Sequence, residues 1–227
     1  AELFCRLYDI TDEGNWEHVS IPRLLQTIES FAKSHQLSVE ATEQLALSGK
    51  NKLLAERFKR IRPLLDDKIL LGWNALMNQA YSKAFMATGN ASYRAKAIAN
   101  IEFLLHAFAT EGDAGLLHTW KNGTAKYTAF LDDYAYLIQA LISLQEISSD
   151  TAYLIKAKEL TQTVLDRFVE KESGFFFFTP EGESNILVRK KEVYDGATPS
   201  GNSVMAQNLY YLGLIFDEQE WQQQSIR

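Results

Sequence analysis

The chain has a single cysteine, Cys5, among 227 residues. No internal disulfide can form, and no Cys/His spacing matches a structural zinc site. Four histidines, His18, His35, His106 and His118, are scattered without the spacing of a metal pair or a catalytic triad. Each is therefore read as structural or surface, and neither a metal nor a cofactor is expected. Positive charge is in deficit: 23 Lys and Arg face 29 Asp and Glu, for a net charge of −6. A nucleic-acid surface or an anionic membrane needs clustered positive charge, so both are excluded as expected partners. No apolar run approaches the ~20 residues that span a bilayer, and the opening AELFCRLYDI has no basic segment followed by an apolar one. These absences predict a soluble, cytoplasmic protein. The missing initiator Met and a helical unit broken off at Arg227 point to a piece of a longer chain. GNAS and PSGNS lack the partner residues of a phosphate loop.

What is present is a core-forming composition, 46% hydrophobic and 12% aromatic, and a repeat. An offset of sixty residues carries Trp73 to Asp133, Ala75 to Ala135, Ala80 to Ala140, Tyr93 to Tyr153, Ala97 to Ala157 and Phe108 to Phe168. Each copy reads as a nearly charge-free helix, a polar cap, an amphipathic helix, a glycine and a short aromatic strand. Expected helices are 68–88, capped by Asp66 or Asp67, then 91–110, 132–148 and 151–171; a third copy opens with Thr198 as N-cap and Pro199 at the first helical position. Asn122-Gly123 predicts a two-residue hairpin turn. A second hairpin is expected from FFFFT (175–179) through Pro180-Glu181-Gly182 to NILVRKKEV (185–193). Ahead of the repeats, the first twenty residues read as loop. Helices follow at about 22–34 and from Ser38 to Pro63, the latter with Leu45, Leu53, Leu54 and Phe58 facing inward and a solvated basic end, KRIR.

A helix apolar all round must be covered on every side, whereas an amphipathic helix needs cover on one. Alternating the two predicts an inner ring and an outer ring. The expected class is all-α, an α/α toroid of the six-hairpin kind, here a partial ring with short β-hairpins on one rim. Residues 1–65 would be the N-terminal loop and entry helices, and 66–227 the incomplete hairpin repeats of the same toroid domain. A helical solenoid is the alternative.

The hairpins and the inner-helix N-termini should share that rim, which collects the unusual residues: Trp73, Asn74, Trp120, Asp132, Asp133, Tyr134, Arg189, Lys191, Tyr194, Asp195 and Asn202. Flat aromatic faces with carboxylates and amides suit a small-molecule carbohydrate. Asp133 and Asp195 are the expected catalytic pair and Asp132 the helix cap; Trp73 and Tyr134 would be flat walls. Asn74, Trp120, Tyr194 and Asn202 complete the substrate-binding set. Arg189 and Lys191 alternate on one strand and so share a side, which would favour an acidic sugar.

The strings YDITDEGNWE (8–17), DDKILLGWNALM (66–77), FLDDYAYLI (130–138) and VRKKEVYDGATPSGNS (188–203) resemble the uncharacterised thioredoxin-domain-containing protein family related to spermatogenesis-associated protein 20. The resemblance implies that this chain is the middle of a longer protein, following a thioredoxin-like domain and similar to six-hairpin glycosidases and acylglucosamine epimerases. It implies no redox chemistry here, since Cys5 stands alone, and it assigns no catalytic residue.

Two functions follow. One is a glycoside hydrolase-like domain, which needs an acid and a second carboxylate roughly 5–9.5 Å apart. Epimerase chemistry is set aside because no histidine falls on an inner-helix rim. The other is a non-catalytic binding or scaffold module supporting the thioredoxin-like domain. Uncovered flanks of a half ring also predict self-association.

Overall fold

The computed structural model describes residues 1–110, 115–182 and 187–226. They form two compact units, Ala1–Asp66 and Asp67–Arg227.

The first unit contains α1 (Glu2–Leu7), α2 (Ile28–Ser34) and α3 (Val39–Phe58). Where a loop was expected, α1 folds because Phe4, Leu7 and Tyr8 can pack with Phe31 and Ala46. The loop that follows is pinned by Asn15, whose amide donates to the Asp9 and Ile21 carbonyls, and by the Arg23–Asp9 ion pair. Thr27 and Ser38 cap α2 and α3 by accepting from Ser30 N and Ala41 N. Leu53, Leu54 and Phe58 are exposed rather than inward-facing. In this unit α1 and α2 pack on α3 where Thr42 and Ala46 are buried, near its start, and α3 outlasts that cover.

The second unit is built from helical hairpins: β1 (Ile69–Leu70), α4 (Leu71–Thr88), α5 (Ala91–Ala107), β2 (Leu117–Lys121), β3 (Thr124–Thr128), α6 (Leu131–Ser148), α7 (Ala152–Phe168), α8 (Gly201–Ile215) and α9 (Gln219–Ser225). Gly89 ends α4 in the left-handed conformation and the Asn90 side chain caps α5, as the sequence predicts. Neither Asp66 nor Asp67 is the N-cap of α4. The N-cap of α4 is Leu70, because residues 69–70 are drawn into a strand against β2, and Asp67 pairs with Lys121. Ser200, rather than Thr198, caps α8 by accepting from Ser203 N.

Helix α6 lies between α4 and α8, with α7 packed behind it and α5 behind α4. Its residues 131–144 are buried almost without interruption. Alternating inner helices (α4, α6, α8) and outer ones (α5, α7) give the α/α toroid arrangement read from the charge pattern. Asn78 donates to Ala97 O and Asn208 to Ala135 O, so buried amides join neighbouring helices. At the flanks the apolar surface continues uncovered: Trp73, Met77 and Met86 on α4, and Tyr210, Leu214 and Ile215 on α8, are exposed.

The sheet is small and antiparallel, in the order β1-β2-β3, with Leu117 opposite Thr128 and Trp120 opposite Ala125. Asn122 and Gly123 both take positive φ, 51° and 79°, as a primed two-residue turn requires. The second expected hairpin is not a ladder among the described residues, and 185–186 of its return run lie outside them. Phe176 bridges Val169, and Phe178 N donates to Lys190 O. The reason is Asn202. Its amide accepts from Phe176 N at 2.8 Å and donates to Phe176 O at 3.0 Å and to Glu192 O at 2.9 Å, occupying the edge a strand would pair with.

Gly201 sets how closely α8 approaches α6. A Cβ there would lie 2.5 Å from Asp132 Oδ1 and 2.8 Å from Leu131 Cγ. Gly201→Ala is expected to destabilise by about 1–3 kcal/mol in urea denaturation, because the overlap falls on a buried helix start. The uncovered flanks of α4 and α8 should bind a dye specific for exposed apolar surface, or be hidden by self-association visible in size-exclusion chromatography.

Candidate functional site at the inner-helix rim

The starts of α4, α6 and α8 meet around two adjacent aspartates. Consecutive helix residues project about 100° apart, so Asp132 and Asp133 face different neighbours. Asp133 faces α4 and the hairpin. It is 2% exposed. Its Oδ1 accepts from Gly72 N at 2.9 Å, and its Oδ2 accepts from Phe130 N at 2.9 Å and contacts His118 Nδ1 at 2.7 Å. The bond to Phe130 N is the return half of a capping box, with the third helical residue reaching back to the N-cap. This corrects the expected catalytic role of Asp133: both of its oxygens are engaged inside the protein and almost none of it meets solvent. The capping work assigned to Asp132 is done by Asp133.

Asp132 faces α8. Its Oδ1 is buried against Gly201 without a hydrogen-bond partner. Burial is the main cause that pushes its pKa up to about 6; the Gly201 backbone N–H opposes this, while Glu192 and Asp133 add like charge. The N–H pulls in the opposite direction without reaching good hydrogen-bond geometry.

Asp195 precedes α8 and accepts from Ser200 N at 2.9 Å and from Ser203 Oγ at 2.9 Å. The Ser200 N–H, then the Ser203 hydroxyl, hold its pKa below the ordinary value. Asp132, Asp133 and Asp195 all push up the pKa of the Tyr136 hydroxyl, behind burial as the main cause. One phenol therefore senses all three carboxylates, and it donates to Pro199 O. Tyr136 was not singled out in the sequence because it reads as one more core aromatic of α6.

The other expected residues divide. Trp73 and Tyr194 are 68% and 89% exposed and offer open aromatic faces. Tyr134 is no wall: it is buried, its hydroxyl accepts from Leu116 N, and its ring meets Phe168 edge-on. Asn74 ties helices together, donating to Leu70 O and accepting from Asn100. Trp120 packs edge-on against Phe103 of α5 at 5.4 Å, and Asn202 is the buried clamp already described. Arg189 and Lys191 do share a side, both lying over the Phe177 ring. They do not serve the rim. Arg189 donates to Arg167 O and Thr179 O at the end of α7, and Lys191 pairs with Glu170 at 2.5 Å. The basis for an acidic ligand is thereby removed, since carbonyls near the C-terminus of α7 hold Arg189 and the Glu170 carboxylate holds Lys191.

The residue that sequence reasoning missed is His118. It reaches the rim from β2, not from an inner helix, and its ring packs at 4.8 Å against Phe130, which stacks on Phe178. Only the hairpin brings it to a carboxylate fifteen residues away. The Asp133 bond is the largest cause raising its pKa, ahead of the opposing effect of burial. Among the described residues no group of three or more His, Cys, Asp or Glu has the geometry of a metal site. No described helix is long and apolar enough to cross a membrane.

Similarity to known proteins fits this geometry. The chain is 29% identical over its whole length to human spermatogenesis-associated protein 20, of which it spans 31%. To an uncharacterised protein of Caenorhabditis elegans it is 30% identical over 96% of the chain, spanning 32% of that protein. Over its whole length the chain is homologous to the spermatogenesis-associated protein 20 family. No protein-family profile matches it. Among solved structures, cellobiose 2-epimerase of Spirochaeta thermophila superposes with a TM-score of 0.57 at 20% identity, over 70% of this chain and 42% of the other. A glycoside hydrolase family 76 α-mannanase of Bacteroides thetaiotaomicron gives 0.58 at 16%, over 72% and 44%. An α-1,6-mannanase of Salegentibacter, described as inactive with two consecutive aspartates exchanged and bound to α-1,6-mannotriose, gives 0.55 at 14%, over 87% and 52%. At these identities the likeness establishes the fold: a segment of an α/α toroid.

The two aspartates should separate in stability measurements. Asp133→Asn turns an amide donor toward backbone N–H groups and is expected to cost about 3 kcal/mol. Asp132 works the other way. Its folded pKa lies above the unfolded value, so the folded state binds more protons between the two and stability falls as pH rises from about 4 to 6. Asp132→Asn should remove that fall and gain on the order of 1–3 kcal/mol at pH 7, read from urea denaturation across pH. For His118 the sign is opposite to a depressed carboxylate. Its raised pKa contributes stability below the unfolded value, lost as pH rises through the folded one.

Proposed function

We propose that the rim at the starts of α4, α6 and α8 is a carbohydrate site of glycoside hydrolase-like chemistry, with Asp132 as the proton-donating acid and Asp195 as the second carboxylate. The observation that carries this reading is the state of Asp132, a carboxyl pushed up to about 6 by burial while one oxygen lacks a partner. A carboxyl with that pKa keeps a proton in mildly acidic solution, far above the ordinary carboxylate range, and can release it to a leaving glycosidic oxygen. Asp195 is complementary, since the donors from Ser200 and Ser203 keep it ionised and suited to activate water or attack. Trp73 and Tyr194 supply stacking faces. The mannanase whose inactive form has two consecutive aspartates exchanged supports attention to an aspartate pair, and this chain carries one at the start of its central inner helix. With Arg189 and Lys191 committed elsewhere, the ligand is a neutral sugar.

A second reading, a module that binds or supports without turnover, is favoured by the apolar faces left open on α4 and α8. Other parts of a longer protein would cover them; the family resemblance implies a thioredoxin-like domain there.

A panel of neutral and acidic oligosaccharides, scored for binding and for release of reducing ends, tests both. The expected result is turnover of a neutral glycan, reduced at least ~100-fold in Asp132→Asn with folding intact. Binding without turnover in the unmodified protein selects the second reading, and no binding at all overturns both carbohydrate roles.

A further inference from the structure

We infer that His118 is a proton carrier of the rim, positioned by Asp133 so that its Nε2 is presented to the hydroxyls of a bound sugar. This rests on the carbohydrate reading above and extends it to a residue outside the aspartate pair.

The couple is built on fixed parts. Asp133 cannot swing, because Gly72 N and Phe130 N hold it from two helix starts. Its Oδ2 lies 2.7 Å from His118 Nδ1, so the neutral ring keeps its proton on Nδ1 and donates it to the carboxylate. Nε2 is then the acceptor. Among the described residues Nε2 has no protein partner, and it is not among the buried polar atoms left unpaired, so it reaches solvent; the side chain is 25% exposed. The Phe130 ring fixes the plane of the imidazole from one side.

Two neighbours mark the place as more than a structural ion pair. Between the paired Leu117–Thr128 and Thr119–Lys126, His118 lies across from Tyr127. Tyr127 takes φ 64°, a left-handed conformation unfavourable for an aromatic residue, and keeps its ring exposed. On α4 Trp73, also exposed, follows Gly72, whose N–H shares the Asp133 carboxylate with His118. Two exposed aromatic residues, Tyr127 on β3 and Trp73 on α4, thus belong to elements that meet at the His118–Asp133 couple. The charged groups that face His118 are Asp133 from α6 and Lys68 ahead of β1, acting in opposite directions.

The step is a proton transfer. The Nε2 lone pair takes a proton from a ligand hydroxyl or from water; an O–H bond breaks and an N–H bond forms. The imidazolium is offset by Asp133, and the same proton returns from Nε2 when product forms. No electrons are exchanged and no further reactant is needed.

Imidazole nitrogen NMR on the unmodified protein tests this without a variant that could misfold. Cellobiose, D-mannose and α-1,6-mannotriose are each titrated in. The expected result is an Nδ1–H tautomer for His118, and displacement of its Nε2 signal by at least one sugar that also shifts the Trp73 indole, with His18, His35 and His106 unmoved. His118→Phe, which keeps a ring against Phe130, should weaken that sugar at least tenfold. An Nε2–H tautomer overturns the assignment. A sugar that shifts Trp73 but not His118 overturns the proton carrier while leaving the carbohydrate site standing. If none of the three shifts either residue, both fail.

Discussion

One buried carboxylate organises this rim. Asp133 accepts from the first turn of α4, from the N-cap of its own helix, and bonds the histidine of β2. A carboxylate taken from water is costly unless it is met by donors, and those it meets come from three separate elements. Their relative positions are thus fixed by one side chain. Gly72 is part of the same constraint, since a Cβ there would lie 3.0 Å from Asp133 Oδ1.

The neighbouring carboxylate uses what that constraint leaves. With α6 anchored toward α4, Asp132 is turned toward α8, where Gly201 lets the two helices close over it. The result is a carboxyl that lacks what Asp133 has, a full set of donors, and has what a general acid needs, a pKa near neutrality. Adjacent residues of one type thus acquire opposite properties, one met by donors on both oxygens and one left with a raised pKa. The 100° step between them decides which is which.

Much of the architecture was legible from the sequence, because it depends on periodicity and on local signals. The sixty-residue repeat and the helix 132–148, with charges only at its ends, are periodic patterns, and the Gly89 stop, the Asn90 cap and the Asn122-Gly123 turn act within a few residues of themselves. The site was legible only to the level of a rim. The cap expected of Asp132 falls to Asp133 because sequence shows that both begin a helix but not which neighbour each will face. His118 escaped notice because its partner arrives across a hairpin, and Arg189 and Lys191 misled because a strand's alternation says which side they share but not what lies there. Among the described residues the second hairpin forms no ladder for a related reason: a side chain twenty-six residues away, Asn202, takes the backbone groups of Phe176.

The division of labour between the two aspartates is tested most directly by following aspartate carboxyl carbons through a pH titration by NMR. The expected result is one carboxyl, assigned to Asp132 by its loss in Asp132→Asn, titrating near 6. A titration of Asp132 in the ordinary carboxylate range, near 4, would contradict the account, for it would leave the rim without its acid.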